Sequence, residues 1–144
     1  MESHLTDIAR VIQLAVAPVF LLTAIATLIT ALNNRLGRIV DRRRVLADRQ
    51  RENIDGEAEE TRAELDLIAR RIRLIYLAIV SAVLAALAVC LVVAGAFIGA
   101  LVSVDLAKSV AVLFILAMFA LISGLAMFLR EVFLAVAGHR RVTR

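Results

Sequence analysis

Two sets of side chains in this sequence have types and spacings that suit chemistry, one neutral and polar, the other cationic. Thr23, Thr27, Thr30 and Asn34 step by four, three and four. At about 100° per residue a helix gathers them within about 60° of one another. Such a row lines a hydrophilic path when a symmetry-related or neighbouring helix completes it. It serves packing instead when the hydroxyls bond to carbonyls of their own helix. Gln13 falls off this face. The cationic set is Arg35, Arg38, Arg42, Arg43 and Arg44, within NNRLGRIVDRRR (33–44), joined by Arg70, Arg71 and Arg73. Guanidinium groups at a bilayer surface attract anionic lipid headgroups by about 1 kcal/mol each. Covalent catalysis lacks its parts: Ser123 precedes Gly124, but no histidine lies in an apolar run to act as its base. Cys90 is alone, which excludes a disulfide framework and metal-ligand spacing. No catalytic residue, metal or cofactor is expected.

The elements that must carry these groups are unusually apolar. The chain has 144 residues, 62% of them hydrophobic, with mean hydropathy +0.89; about 45–50% is usual for a soluble domain. Three uncharged runs hold the excess: 11–32, 74–102 and 110–129. Each meets the roughly 20 residues that cross a bilayer core. The expected fold is therefore an all-α integral membrane protein with three transmembrane helices in a single membrane domain over 1–144. A signal peptide is a poor reading of the first run, which is too long and ends in Asn-Asn-Arg, and MESHLTDIAR carries Glu2 and Asp7 against one Arg10.

Charge orients the spans. Segment 33–73 holds eleven arginines, the C-terminal stretch four, and 103–109 only Lys108. The positive-inside rule puts 33–73 and the C-terminus in the cytoplasm, and the N-terminus and 103–109 outside. Sixteen arginines to one lysine, with heavy Ala and Val use, suits a GC-rich bacterial genome; the expected location is the bacterial inner membrane.

Segment 33–73 keeps a helical period on both sides of NIDGE (53–57), where Asp-Gly signals a turn. One stripe is Leu36, Ile39 and Val40, Arg43, Leu46 and Ala47, and Gln50. The other, Ile54, Ala58, Thr61, Leu65, Ile68 and Ile72, is heptad-like. The expectation is an antiparallel cytoplasmic helical hairpin, coiled-coil in character, whose arms continue the first two spans. Arginines crowd its membrane end. Its far end, 48–66, has eight acids against three arginines, which suits a protein partner. Nucleic acid is not expected, since stacking aromatics are missing and the acids repel it.

Small residues mark the packing faces. Gly95 and Gly99 form a GxxxG followed by Ser103, and Ala117, Ala120 and Gly124 repeat the theme in the third span. Pro18 removes one backbone hydrogen bond and offers a kink. These faces make a homo-oligomer the expected assembly.

APVFLL (17–22) followed by ALNNRLGRIVDRRR (31–44) resembles a family of small bacterial membrane proteins known as domain of unknown function 2721. The specific match runs from about Ile8 to Arg44, and the other helices agree in pattern. The resemblance implies an inner-membrane protein and no activity. The order of span, hairpin and two spans is similar, more loosely, to Oxa1-type membrane insertases, whose groove often holds an embedded arginine that the spans here lack. Three functional expectations follow: a homo-oligomer with a channel or solute path lined by the first helix, an insertase or chaperone, and an accessory subunit docking a partner through the hairpin tip.

Overall fold

The computed structural model describes residues 2–52, 58–102 and 105–142, with side chains at 10, 12–13, 16–48, 51, 62–102 and 105–136. Three helices account for nearly all of this: α1 (Glu2–Glu52), α2 (Ala58–Val102) and α3 (Ala107–Val142). No strand occurs among the described residues. All three helices are long and apolar enough to cross a membrane, over Val16–Asp48, Arg62–Val102 and Ala107–Val136. The arms of the expected hairpin are continuous with the first two spans. Its turn, 53–57, and the side chains of Gln50, Ala58 and Thr61 lie outside the described residues.

Burial follows simple spacings. On α2 the buried side chains are Ile68, Ile75, Ala78, Ala82, Ala85, Val89 and Val92, stepping by three, four or seven. On α1 they are Ile25 and Leu32, and on α3 Ala117, Gly124 and Glu131, all seven apart. A seven-residue step keeps one helix face turned to its neighbour. The expected seam continues into this pattern, with Leu65 and Ile72 half-buried around buried Ile68. The α1 stripe holds at Leu36, Ile39, Val40, Leu46 and Ala47, all half-buried. Arg43, placed in that stripe by its spacing, is exposed; its charged head is better solvated on the outside.

Inter-residue contacts divide the chain into two compact units, and each helix contributes to both. The first comprises Met1–Ile29 and Ser81–Ser123. Its core is Ile25 against Ala82 and Ala85, flanked by Leu21, Leu28, Ile29 and Leu121. Between membrane helices there is little hydrophobic drive, because lipid tails are as apolar as leucine, so close van der Waals packing must hold them. Alanines on α2 permit that approach. Gly95 does the same, since a Cβ there would lie 3.2 Å from Val110 Cγ2. Ser81 and Ser123 add polar contacts: their hydroxyls lie 2.6 Å apart, and the Ala120 carbonyl accepts from Ser81 at 2.6 Å or Ser123 at 2.8 Å. Two hydroxyl protons serve these three contacts, so the node stays bonded however they are shared.

The expected loop 103–109 is shorter than the charge pattern suggests. Asp105 Oδ1 accepts from Ala107 N at 3.1 Å, and Leu106 O from Val110 N at 3.0 Å. An aspartate capping two residues ahead satisfies an otherwise orphaned N–H and starts the helix early, so Lys108 and Ser109 belong to α3. Pro18 leaves α1 unbroken and lines an apolar cleft of about 710 Å³ with Leu21, Val92, Gly99, Val110 and Phe114.

The second unit comprises Thr30–Val80 and Gly124–Arg144. Its core side chains are Leu32, Ile68, Ile75 and Ala78, together with one acid.

The 3.2 Å spacing at Gly95 yields a test by denaturant unfolding followed by circular dichroism. Gly95→Ala should shift stability by less than about 1 kcal/mol, because alanine's helix preference offsets the small displacement of Val110. Gly95→Leu should lose about 1–3 kcal/mol by overpacking.

Candidate functional site: a buried carboxylate between two arginines

Glu131 lies two residues beyond the third apolar run and is completely buried. A seven-residue column with Ala117 and Gly124 turns it inward. Arg35 lies three residues past buried Leu32 on α1, and Arg71 lies between buried Ile68 and Ile75 on α2, so both point to the same interior. Arg35 Nη1 donates to Glu131 Oε2 at 2.6 Å. Arg71 donates to Oε1 from Nε at 3.2 Å and from Nη2 at 2.8 Å. Each helix thus supplies one member of the triad. Arg35 also lies 5.2 Å from the centroid of the Phe128 ring, one turn before Glu131, within reach of a cation–π attraction.

The carboxylate side chain is 0% exposed, while Arg35 and Arg71 remain 34% and 21% exposed. A lone buried carboxylate is costly; three charge-assisted hydrogen bonds offset that cost. Only the two arginines of the triad reach the surface, and its formal charge is +1.

Further along the arms, Arg42 Nη2 and Nε donate to Glu64 Oε1 at 2.6 and 3.3 Å. From Arg35 to Arg42 the chain advances seven residues, and from Arg71 to Glu64 it retreats seven. The arms therefore run in opposite directions in one register. This second pair is largely solvent-exposed, at 64% and 38%, and such pairs contribute about 0–1 kcal/mol.

The arginine collar separates accordingly. Arg35 and Arg71 are committed to Glu131 and Arg42 to Glu64, whereas Arg38, Arg43, Arg44, Arg70 and Arg73 are exposed. The polar row on α1 is exposed at all four positions. Thr23 Oγ1 donates to Val19 O at 3.3 Å, and Thr27 Oγ1 to Thr23 O at 3.0 Å, the self-bonding arrangement of the two that its spacing allows. Gly99 lines the cleft and Gly124 is buried; Ser103 lies outside the described residues. So do the side chains of Glu59 and Glu60, together with Glu57, at the acidic tip. Cys90 is exposed.

Sequence reasoning grouped Arg35 and Arg71 with the collar and passed over Glu131. The signal was present in register: all three positions extend columns of buried small or aliphatic residues by three, four or seven.

A family model described as "Protein of unknown function (DUF2721)" matches residues 15–141, a stretch that includes the triad. No curated protein and no solved structure matches the chain.

Removing the central carboxylate leaves two facing arginines unbalanced. Glu131→Ala should therefore cost about 3–5 kcal/mol of unfolding free energy, against at most about 1 kcal/mol for Arg42→Ala. Parallel denaturant titrations in one detergent measure both, and equal losses would contradict the assignment.

Proposed function

The chain belongs to that family of unknown function, and we propose that it acts as a non-enzymatic membrane protein which assembles with copies of itself through α1. The observation that carries this reading is an asymmetry of the outer surfaces. Large exposed apolar side chains crowd α2 (Val83, Leu84, Leu87, Leu91) and α3 (Leu116, Phe119, Ile122, Leu125). On α1 none occurs between Phe20 and Val45. The exposed positions there are instead Thr23, Ala24, Ala26, Thr27, Thr30, Ala31, Asn33 and Asn34, followed by Gly37 and charged residues. Lipid tails suit the first kind of surface, whereas small and weakly polar residues suit a neighbouring helix.

In this reading α2 and α3 face lipid and α1 faces its symmetry mates. The arginine distribution supports placing 33–73 and the C-terminus in the cytoplasm of a bacterial inner-membrane protein. A ring of copies would gather Thr23, Thr27 and Asn34 around its axis. Because Thr23 and Thr27 donate to their own helix, they would present oxygen lone pairs to that axis, a mildly polar lining for a solute path.

Single cysteines at Thr23, Thr27 and Asn34, in a Cys90→Ser background, test the assembly. Oxidative crosslinking in native membranes should join subunits at Thr23 and Thr27, and Leu87 or Phe119 cysteines should not crosslink. Labelling of Asn34 and Thr27 by a water-soluble thiol reagent supports the path. Crosslinking without labelling supports a closed packing face, and a monomer in nanodiscs overturns the proposal.

A further inference from the structure

We propose that the Arg35–Glu131–Arg71 triad is a binding site for one phosphate oxyanion, that of an anionic phospholipid, and that Glu131 is the internal anion which sets its affinity. This does not depend on self-assembly through α1.

Hydrogen-bond capacity supplies the first argument. A guanidinium carries five N–H donors. Arg35 uses Nη1 and Arg71 uses Nε and Nη2 on Glu131. Among the described residues, Arg35 Nε and Nη2 and Arg71 Nη1 have no acceptor. Both side chains are partly exposed while the carboxylate is sealed, at 34%, 21% and 0%. A ligand approaching from outside therefore meets arginine side chains from two helices and no carboxylate oxygen. Two guanidinium groups held by one carboxylate are already oriented, so little side-chain entropy remains to be lost on binding.

Depth supplies the second argument. Arg35 follows the first uncharged run by three residues, Arg71 precedes the second by three, and Glu131 follows the third by two. The three runs end together at the triad, where a bilayer changes from tails to headgroups. A phosphodiester is the anion at that depth. The charge is right as well: two guanidinium groups against one carboxylate leave +1, which a single phosphodiester neutralises. The exposed collar residues Arg43 and Arg44 carry the same charge without a shared internal anion, and act as diffuse attraction.

Arginine and lysine respond alike to a diffuse surface field, at about 1 kcal/mol each, but only arginine offers a planar fork to a phosphate. The full-length protein, purified in a neutral detergent, is titrated with phosphatidylglycerol or phosphatidylcholine, and retained lipid is counted by native mass spectrometry. Arg35→Lys should weaken phosphatidylglycerol retention about tenfold, with circular dichroism confirming the helical fold, whereas Arg43→Lys should leave it unchanged. Glu131→Gln, where it folds, keeps the shape and an oxygen acceptor between the two arginines but removes the competing anion, so it should strengthen retention. A purely structural triad would give the opposite sign. Equal responses to Arg35→Lys and Arg43→Lys, or phosphatidylcholine bound as well as phosphatidylglycerol, would overturn the proposal. Inorganic phosphate is the third arm: displacement of lipid by phosphate keeps the oxyanion site and assigns it to a soluble phosphate, and no displacement keeps it with the lipid.

Discussion

A fully buried carboxylate that must keep two arginines within hydrogen-bonding distance is the constraint on which the second unit of this fold depends. Glu131 belongs to α3, Arg35 to α1 and Arg71 to α2. Sliding any helix by one turn moves its charge by about 5.4 Å, enough to break the contact and strand a charge near the apolar runs. Alanine-on-alanine packing has no comparable penalty for a wrong register, since one small apolar residue resembles the next. The triad supplies the specificity that small-residue packing lacks. Ion pairs of this kind are weak sources of net stability compared with well-packed apolar substitutes, so register is the more natural role for it here.

Packing and charge divide the labour along the chain. In the unit built from Met1–Ile29 and Ser81–Ser123, cohesion comes from alanines, Gly95 and the Ser81–Ser123 node, all of which allow close backbone approach. In the other unit it comes from Leu32, Ile68 and Ile75 together with the triad. Along α2 the buried residues step by three, four or seven from Ile68 to Val92. The outward faces differ by helix, and that difference underlies the proposed assembly.

The number of spans and the continuity of their arms were legible in the sequence, because uncharged runs of twenty residues and a 3.6-residue period leave few alternatives. The cap at Asp105 was harder to see, since Lys108 and Ser109 read as a loop until the side chain of Asp105 is known to accept from Ala107 N, two residues ahead. Glu131 was missed for a related reason. Adjacent Arg130 and its place beyond the last apolar run gave it the look of a solvated end. Its burial follows from the column through Ala117 and Gly124, a relation that shows only once helix faces are compared. Thr23 and Thr27 were found by spacing, but the acceptors of their hydroxyls are a matter of side-chain rotamer, which spacing does not determine.

A double-mutant cycle between Arg71 and Glu131 tests the central claim most directly, using unfolding free energies of the wild type, Arg71→Leu, Glu131→Leu and the double variant. If the carboxylate binds the arginine as described, the double variant should be less damaged than the two single losses together, with a coupling of about 2 kcal/mol or more. Losses that add to within about 0.5 kcal/mol would mean that the two side chains act independently, and would contradict the account.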